Sequence, residues 1–127
     1  MDGGLTKQIK AKEIYELNFL YNPNDPEQGG KERPVLVFVL TSTKNRFIGL
    51  KITKTRRDQN RVKIDYWKEA GLEYQSYVQC DIYDVFEGDT STKYIGTLRQ
   101  SDYDKVVLKV NEFYPILKWL NQERRKA

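Results

Sequence analysis

A charged turn, Lys31-Glu32-Arg33-Pro34, runs without a break into the apolar stretch Val35-Leu36-Val37-Phe38-Val39-Leu40. A continuous apolar run of this length, rich in β-branched residues, predicts a buried strand near the centre of a sheet. Proline holds its φ and has no donor for a sheet ladder, so it belongs at the first residue of a strand. Arg33 is thereby held at the rim of a rigid core. A guanidinium fixed in that way suits a phosphate, whose oxygens it can meet in pairs; the alternative is an Arg-Pro turn with its charge in water.

The remaining strands follow from alternation and turn chemistry. Glu13 to Phe19 sets Ile14 and Glu16 against Tyr15, Leu17 and Phe19, the pattern of a strand with one face inward. Residues 21–30 gather so much proline, glycine, asparagine and aspartate that a long loop is expected there. Strands are then predicted over 34–42 and 46–53, joined by a hairpin turn at Thr43-Lys44-Asn45. Val62-Lys63-Ile64 and a strand from Ser76 to Phe86 come next, the latter alternating Tyr77, Gln79, Asp81 and Tyr83 with Val78, Cys80, Ile82 and Val85. Glu87-Gly88-Asp89 turns the chain into a last strand, Lys93 to Leu98.

Beyond it the period changes. Tyr103, Val106, Val107, Val110, Phe113 and Tyr114 recur at helical spacing, and Ser101-Asp102-Tyr103-Asp104 ahead of them predicts an N-cap and an acidic first turn. Pro115 is expected to kink this helix or to start a second segment carrying Ile116, Leu117 and Leu120. Five or six short strands without crossover helices exclude a parallel sheet and predict a small, strongly bent antiparallel sheet or barrel lidded by the helix. At 127 residues the chain suits one core, so a tail over residues 1–10 and a single domain over 11–127 are expected.

Composition narrows the chemistry. With no histidine and one cysteine, an internal disulfide is impossible and the commonest general base and metal ligand are missing, so neither a metal nor a cofactor is expected. No stretch approaches the roughly eighteen apolar residues of a spanning helix, and the amino end lacks an apolar signal core, so a cytoplasmic protein is expected. The formal charge of +4 is local: Lys54, Arg56, Arg57, Arg61 and Lys63 stand against Asp58. Such a stretch is the footprint expected for a polyanion, with a solvated loop as the alternative. Cys80, on the inward register and without a histidine partner, reads as a small buried residue rather than a nucleophile.

In order along the chain, Glu13-Ile14-Tyr15-Glu16-Leu17-Asn18-Phe19, a polar loop, Arg33-Pro34-Val35-Leu36-Val37, Ile52-Thr53, Ser76-Tyr77-Val78 and Ile95-Gly96-Thr97-Leu98 resemble the MazF/PemK family of toxin endoribonucleases. The resemblance runs over roughly residues 11 to 115. It implies a mainly β fold, an SH3-like antiparallel barrel of five to seven strands with a C-terminal helix. It also implies a homodimer that cleaves single-stranded RNA through the adjacent 2'-hydroxyl without a metal, restrained by a cognate antitoxin.

Residue by residue, Arg33 and Thr53 match the family's arginine and hydroxyl residue. Some members carry Arg-Cys-Asp on the later strand, where this chain has Gln79-Cys80-Asp81; Asp81 is kept and the arginine is not. Arg33, Thr53 and Asp81 are therefore the expected catalytic residues, with Asp81 as general base beside Arg33. Lys31, Lys51, Lys54, Arg56, Arg57, Arg61, Ser76 and Gln79 are the expected RNA contacts, with Tyr21, Tyr66, Trp67 or Tyr77 as stacking surfaces. Lys12 and Glu13 stand where the family has glycine and aspartate, and both read as structural. A barrel of the same family that binds nucleic acid or protein without cutting is the alternative, and Gln79 is the residue that favours it. A module for proline-rich peptides fits the basic stretch poorly.

Overall fold

The structure, a computed structural model, describes residues 8–18, 32–42, 45–88 and 92–115. Among these the chain forms β1 (Glu13–Asn18), β2 (Glu32–Leu40), β3 (Arg46–Thr53), β4 (Arg61–Lys63), β5 (Tyr77–Gln79), β6 (Asp84–Glu87), β7 (Lys93–Thr97) and α1 (Gln100–Phe113). The strands make one antiparallel sheet in the order β4-β5-β3-β2-β1-β7, with β6 also on β3. β4 and β7 end the path and do not pair with each other among the described residues, so the sheet is barrel-like but not closed.

Alternation along β2 and β3 sends side chains to two faces, and both are covered near the centre. Leu36, Phe38, Leu50, Ile52, Val78 and Ile14 pack with Ile64, Val106 and Val110 in the main core beneath α1. Each such side chain, taken fully out of water, contributes about 1.5–3 kcal/mol. On the opposite face Ile9, Tyr15, Val35, Val37 and Phe47 form a smaller cluster, with the Phe47 and Phe86 rings stacked at 5.6 Å. Ile9, assigned to the tail from sequence, is thus 4% exposed and belongs to this cluster.

A bulge between Val37 and Val39 inserts Phe38 opposite the Gly49/Ile48 step. A bulged residue leaves the ladder, and the Phe38 carbonyl instead accepts the Tyr103 hydroxyl at 2.6 Å, tying α1 to the sheet. Asp102 completes the attachment: it is buried, and its two oxygens accept the backbone N–H groups of Asp65 and Tyr66 at 3.1 and 3.0 Å.

Several sequence expectations are corrected. The strand expected over 76–86 is two strands, because β5 follows β3 at Ile52↔Val78 while β6 follows it at Gly49↔Asp84. Two residues of β3 separate these pairs but five separate Val78 from Asp84, so Cys80 to Tyr83 loop out. β1 is buried on both faces rather than one, with Glu13, Ile14 and Tyr15 all inside. Pro34 is the third residue of β2; there β2 has β1 on one side, and its pairing to β3 begins only at Val35, an edge position that tolerates a missing donor. α1 has Arg99 at its N-cap with no side-chain cap, since a guanidinium has no acceptor for the free N–H groups, and Asp102 in the first turn is spent on the 65–71 turn. The segment 116–120 and most of the loop before Arg33 lie outside the described residues. No helix among the described residues is long and apolar enough to cross a membrane.

Candidate nucleic-acid interface

Opposite α1, the far end of the sheet is polar, and strand register assembles it. Val35 pairs Lys51, the last pair between β2 and β3, and Arg33 and Thr53 each lie two residues beyond it on their strands. Thr53 pairs Tyr77, Tyr77 pairs Lys63, and Arg33 pairs Leu17. Directly opposed residues of an antiparallel pair share a face with Cβ atoms about 4.5–5.5 Å apart. Leu17 and Arg33 therefore form one short row, and Thr53, Tyr77 and Lys63 another, on the same face and flanking the end of the β2–β3 pairing. The next row on the same face runs Tyr15, Val35, Lys51, Gln79 and Arg61, since Gln79 pairs Arg61 and the β3–β5 register sets it opposite Lys51.

Thr53 is half-buried, and its Oγ1 accepts the Thr55 N–H at 3.3 Å. The hydroxyl hydrogen remains available to a phosphate oxygen. Arg33 is half-buried on β2. Lys51 and Gln79 are each 5% exposed, which places them beneath the surface of this face rather than at its rim.

Asp81 lies in the loop between β5 and β6 and is joined to the rows by hydrogen bonds. Gln79 Nε2 donates to Asp81 Oδ1 at 3.0 Å and Asn60 Nδ2 to Oδ2 at 2.9 Å. Arg61 Nη2 reaches Gln79 Oε1 at 3.4 Å and Nη1 donates to the Thr55 carbonyl at 2.8 Å. The Tyr114 hydroxyl donates to the Asp81 carbonyl, so the end of α1 reaches this loop as well. Each carboxylate oxygen keeps a second lone pair.

The other expected contacts are placed less uniformly. Arg56 forms a two-bond pair with Asp58, through Nε at 2.9 Å and Nη2 at 3.1 Å. Hydrogen bonding to that guanidinium holds the Asp58 carboxyl below its usual range, and most of the Arg56 charge is answered locally. Arg57 is exposed. Ser76 is buried and its hydroxyl is spent on the Tyr74 carbonyl at 2.8 Å, fixing the turn into β5. Lys54 Nζ lies 4.7 Å from the centre of the Tyr74 ring. Lys31 and Tyr21 lie outside the described residues. Tyr66 is stacked under Arg99 at 4.1 Å and Trp67 packs against the main core, both away from the rows.

Asn60 and Tyr74 are the residues that sequence reasoning passed over. Asn60 had only a turn signal, Asp58-Gln59-Asn60, and Tyr74 had no periodic context at all. Cys80 is fully buried in the main core, and burial pushes its thiol up to about 12, which leaves it inert as a nucleophile.

The sequence profile of PemK-like, MazF-like toxins of type II toxin-antitoxin systems matches residues 10–114. Among curated proteins no sequence matches. Solved structures with similar folds include a mycobacterial endoribonuclease in complex with its cognate antitoxin, at 16% identity and a TM-score of 0.66 over 85% of this chain and 96% of that one. A Mycobacterium tuberculosis MazF toxin aligns at 21% identity and 0.60, over 81% and 96% of the two chains. MazF in a MazE-MazF crystal from Deinococcus radiodurans aligns at 15% identity and 0.58, over 84% and 94%.

Proposed function

Since this chain belongs to the PemK-like, MazF-like toxins of type II toxin-antitoxin systems, we propose that it is an endoribonuclease acting on single-stranded RNA. In this reading the 2'-hydroxyl oxygen adjacent to the scissile phosphate attacks phosphorus and the bond to the 5'-oxygen breaks. The products are a 2',3'-cyclic phosphate and a 5'-hydroxyl end, with the proton lost by the 2'-oxygen balanced by one gained at the leaving oxygen. Negative charge builds on the nonbridging oxygens, and the protein answers it in place of a metal: Arg33 by paired hydrogen bonds and Thr53 by its hydroxyl. Asp81 is the candidate acceptor for the 2'-hydroxyl proton.

The observation that supports this reading is the Val35–Lys51 pair, beyond which Arg33 on β2 and Thr53 on β3 each lie two residues further along, on the face of the sheet not covered by α1. Lys51, Tyr77, Gln79 and Arg61 occupy the same face. Family membership supports two protein partners, a cognate antitoxin and a second copy of this chain, and a cytoplasmic site of action. The mycobacterial endoribonuclease solved with its antitoxin is a relative in fold that has such a partner.

A second reading, a barrel that binds RNA without cutting it, is favoured by one observation. Both Asp81 oxygens already accept amide hydrogen bonds, from Gln79 and Asn60. One experiment separates the two. Purified protein is incubated with a long single-stranded RNA in the presence of a chelator, beside an Arg33→Ala control, and the ends are mapped. Discrete cuts with cyclic phosphate ends that vanish in the control support the nuclease. Intact RNA that is nevertheless retarded on a gel overturns it in favour of the binder.

A further inference from the structure

We infer that Tyr74 and Lys54 form a subsite for an unstacked base and its phosphate, next to the phosphate held at Arg33 and Thr53; the inference rests on the RNA reading above. Both residues lie at one end of the β3–β5 pair. Lys54 directly follows Thr53, the last residue of β3, and Tyr74 precedes Tyr77, the residue opposite Thr53. Adjacent Cα atoms are about 3.8 Å apart, so this corner is within reach of the nucleotide neighbouring the one on Thr53.

The chemistry of the corner fits a nucleotide. Tyr74 is 57% exposed, more than any other aromatic ring among the described residues. Its backbone is anchored: Ser76 Oγ donates to the Tyr74 carbonyl at 2.8 Å, and Gln75 Nε2 donates to the Ile64 and Ser76 carbonyls at 3.0 and 3.2 Å. An exposed ring on a fixed backbone is a stacking platform with little ordering cost. Lys54 lies over that ring at 4.7 Å and has no carboxylate partner among the described residues, so its charge can also reach a phosphate.

Two further cation–ring pairs each lack one of these properties. Arg99 over Tyr66 is also paired with Glu69 at 3.2 Å. Lys68 lies 5.4 Å from Trp67, but that ring packs against the main core.

The test uses the full chain and two uncleavable strands, an oligothymidylate and an abasic DNA of the same length, with cleavage of RNA followed in parallel. DNA lacks the 2'-hydroxyl, so binding is read without the reaction. Tyr74→Ala is expected to weaken oligothymidylate binding about tenfold, Tyr74→Phe to restore it, and the abasic strand to bind the original chain and Tyr74→Ala alike. Lys54→Ala is expected to lower the salt slope of binding by about 0.7, the value for one single-strand phosphate contact. The subsite is overturned if Tyr74→Ala binds oligothymidylate as tightly as the original chain, or loses the same factor on the abasic strand. Base-dependent binding without any RNA cleavage would support the subsite and overturn the nuclease, so the two readings fail separately.

Discussion

Gln79 donates its side-chain amide to Asp81 Oδ1 at 3.0 Å, and Asn60 donates to the other oxygen at 2.9 Å. Together these amides hold in place a loop that interrupts the sheet between β5 and β6. Hydrogen bonds to charged groups contribute about 1.5–3 kcal/mol. Asn60→Ala is expected to lower stability by roughly 1–2 kcal/mol, read as a shift in the urea midpoint at constant m. An unchanged midpoint would mean that the Gln79 amide, the Tyr114 hydroxyl and the Cys80 N–H to Asn60 carbonyl bond at 2.8 Å hold the loop without the Asn60 amide.

Thr53 offers a sharper test of the proposed chemistry, because valine has nearly its shape. Thr53→Val keeps the β-branched fit to β3 but removes the hydroxyl, and is expected to cut the RNA cleavage rate by about tenfold or more with the melting temperature nearly unchanged. Thr53→Ser is expected to retain most of the rate. Equal rates for the valine and serine variants would remove Thr53 from the reaction.

Lys12 holds φ at 78°, a left-handed conformation that L side chains rarely adopt. The strain is fixed by ladder-like bonds on both sides, Lys12 N–H to the Val37 carbonyl at 2.9 Å and Leu98 N–H to the Lys12 carbonyl at 2.7 Å. Glycine adopts the conformation freely. Lys12→Gly is therefore expected to stabilise the fold by about 0.5–1 kcal/mol despite the looser unfolded chain and the loss of the exposed Lys12–Gln100 hydrogen bond. Chemical denaturation decides it, and a loss of stability would refute the strain argument.

Alkaline stability is expected to report on Cys80. Burial pushes its thiol from the ordinary 9.0 up to about 12, so the unfolded chain gives up this proton first. The stabilisation is intact below pH 9 and is lost as pH rises through 12, at about 1.4 kcal/mol per pH unit. Tyr15 steepens the fall above its ordinary 10.0, since burial and the Glu13 carboxylate that accepts its hydroxyl both hold the proton on. Urea midpoints across this range should fall less steeply for Cys80→Ala than for the original chain; parallel slopes would show that the thiol takes no part.

How much of this was legible in the sequence follows from how local each signal is. β3 was read at its observed bounds, because its alternation and flanking turn lie within the strand itself. The break after Gln79 was not legible, because polar and apolar residues keep alternating through Cys80 and Ile82 while the pairing partner on β3 changes register. The two-sided burial of β1 needed the second cluster, which depends on Val35, Val37 and Phe47 from distant parts of the chain. Lysine at a left-handed position carries no local mark of its φ. At the site, Arg33 is marked by the proline that follows it and Thr53 by resemblance, while their nearness depends on where the β2–β3 pairing ends. The amides around Asp81 and the ring beside Lys54 arise from loops whose course no periodicity encodes.

The main path of the unclosed sheet ends in two outer strands, β4 and β7, and each is defended against pairing with another chain. β4 has only three residues, two of them Arg61 and Lys63, too short and too charged to template a neighbour. At β7 the backbone of the 65–71 turn lies so close that a Cβ on Gly96 would meet the Ala70 carbonyl oxygen at 2.1 Å, and Lys93 adds a charge at the strand's start. Short length, like charge and a covering turn do here what ring closure does in a complete barrel: they keep a β-rich chain from growing into fibres.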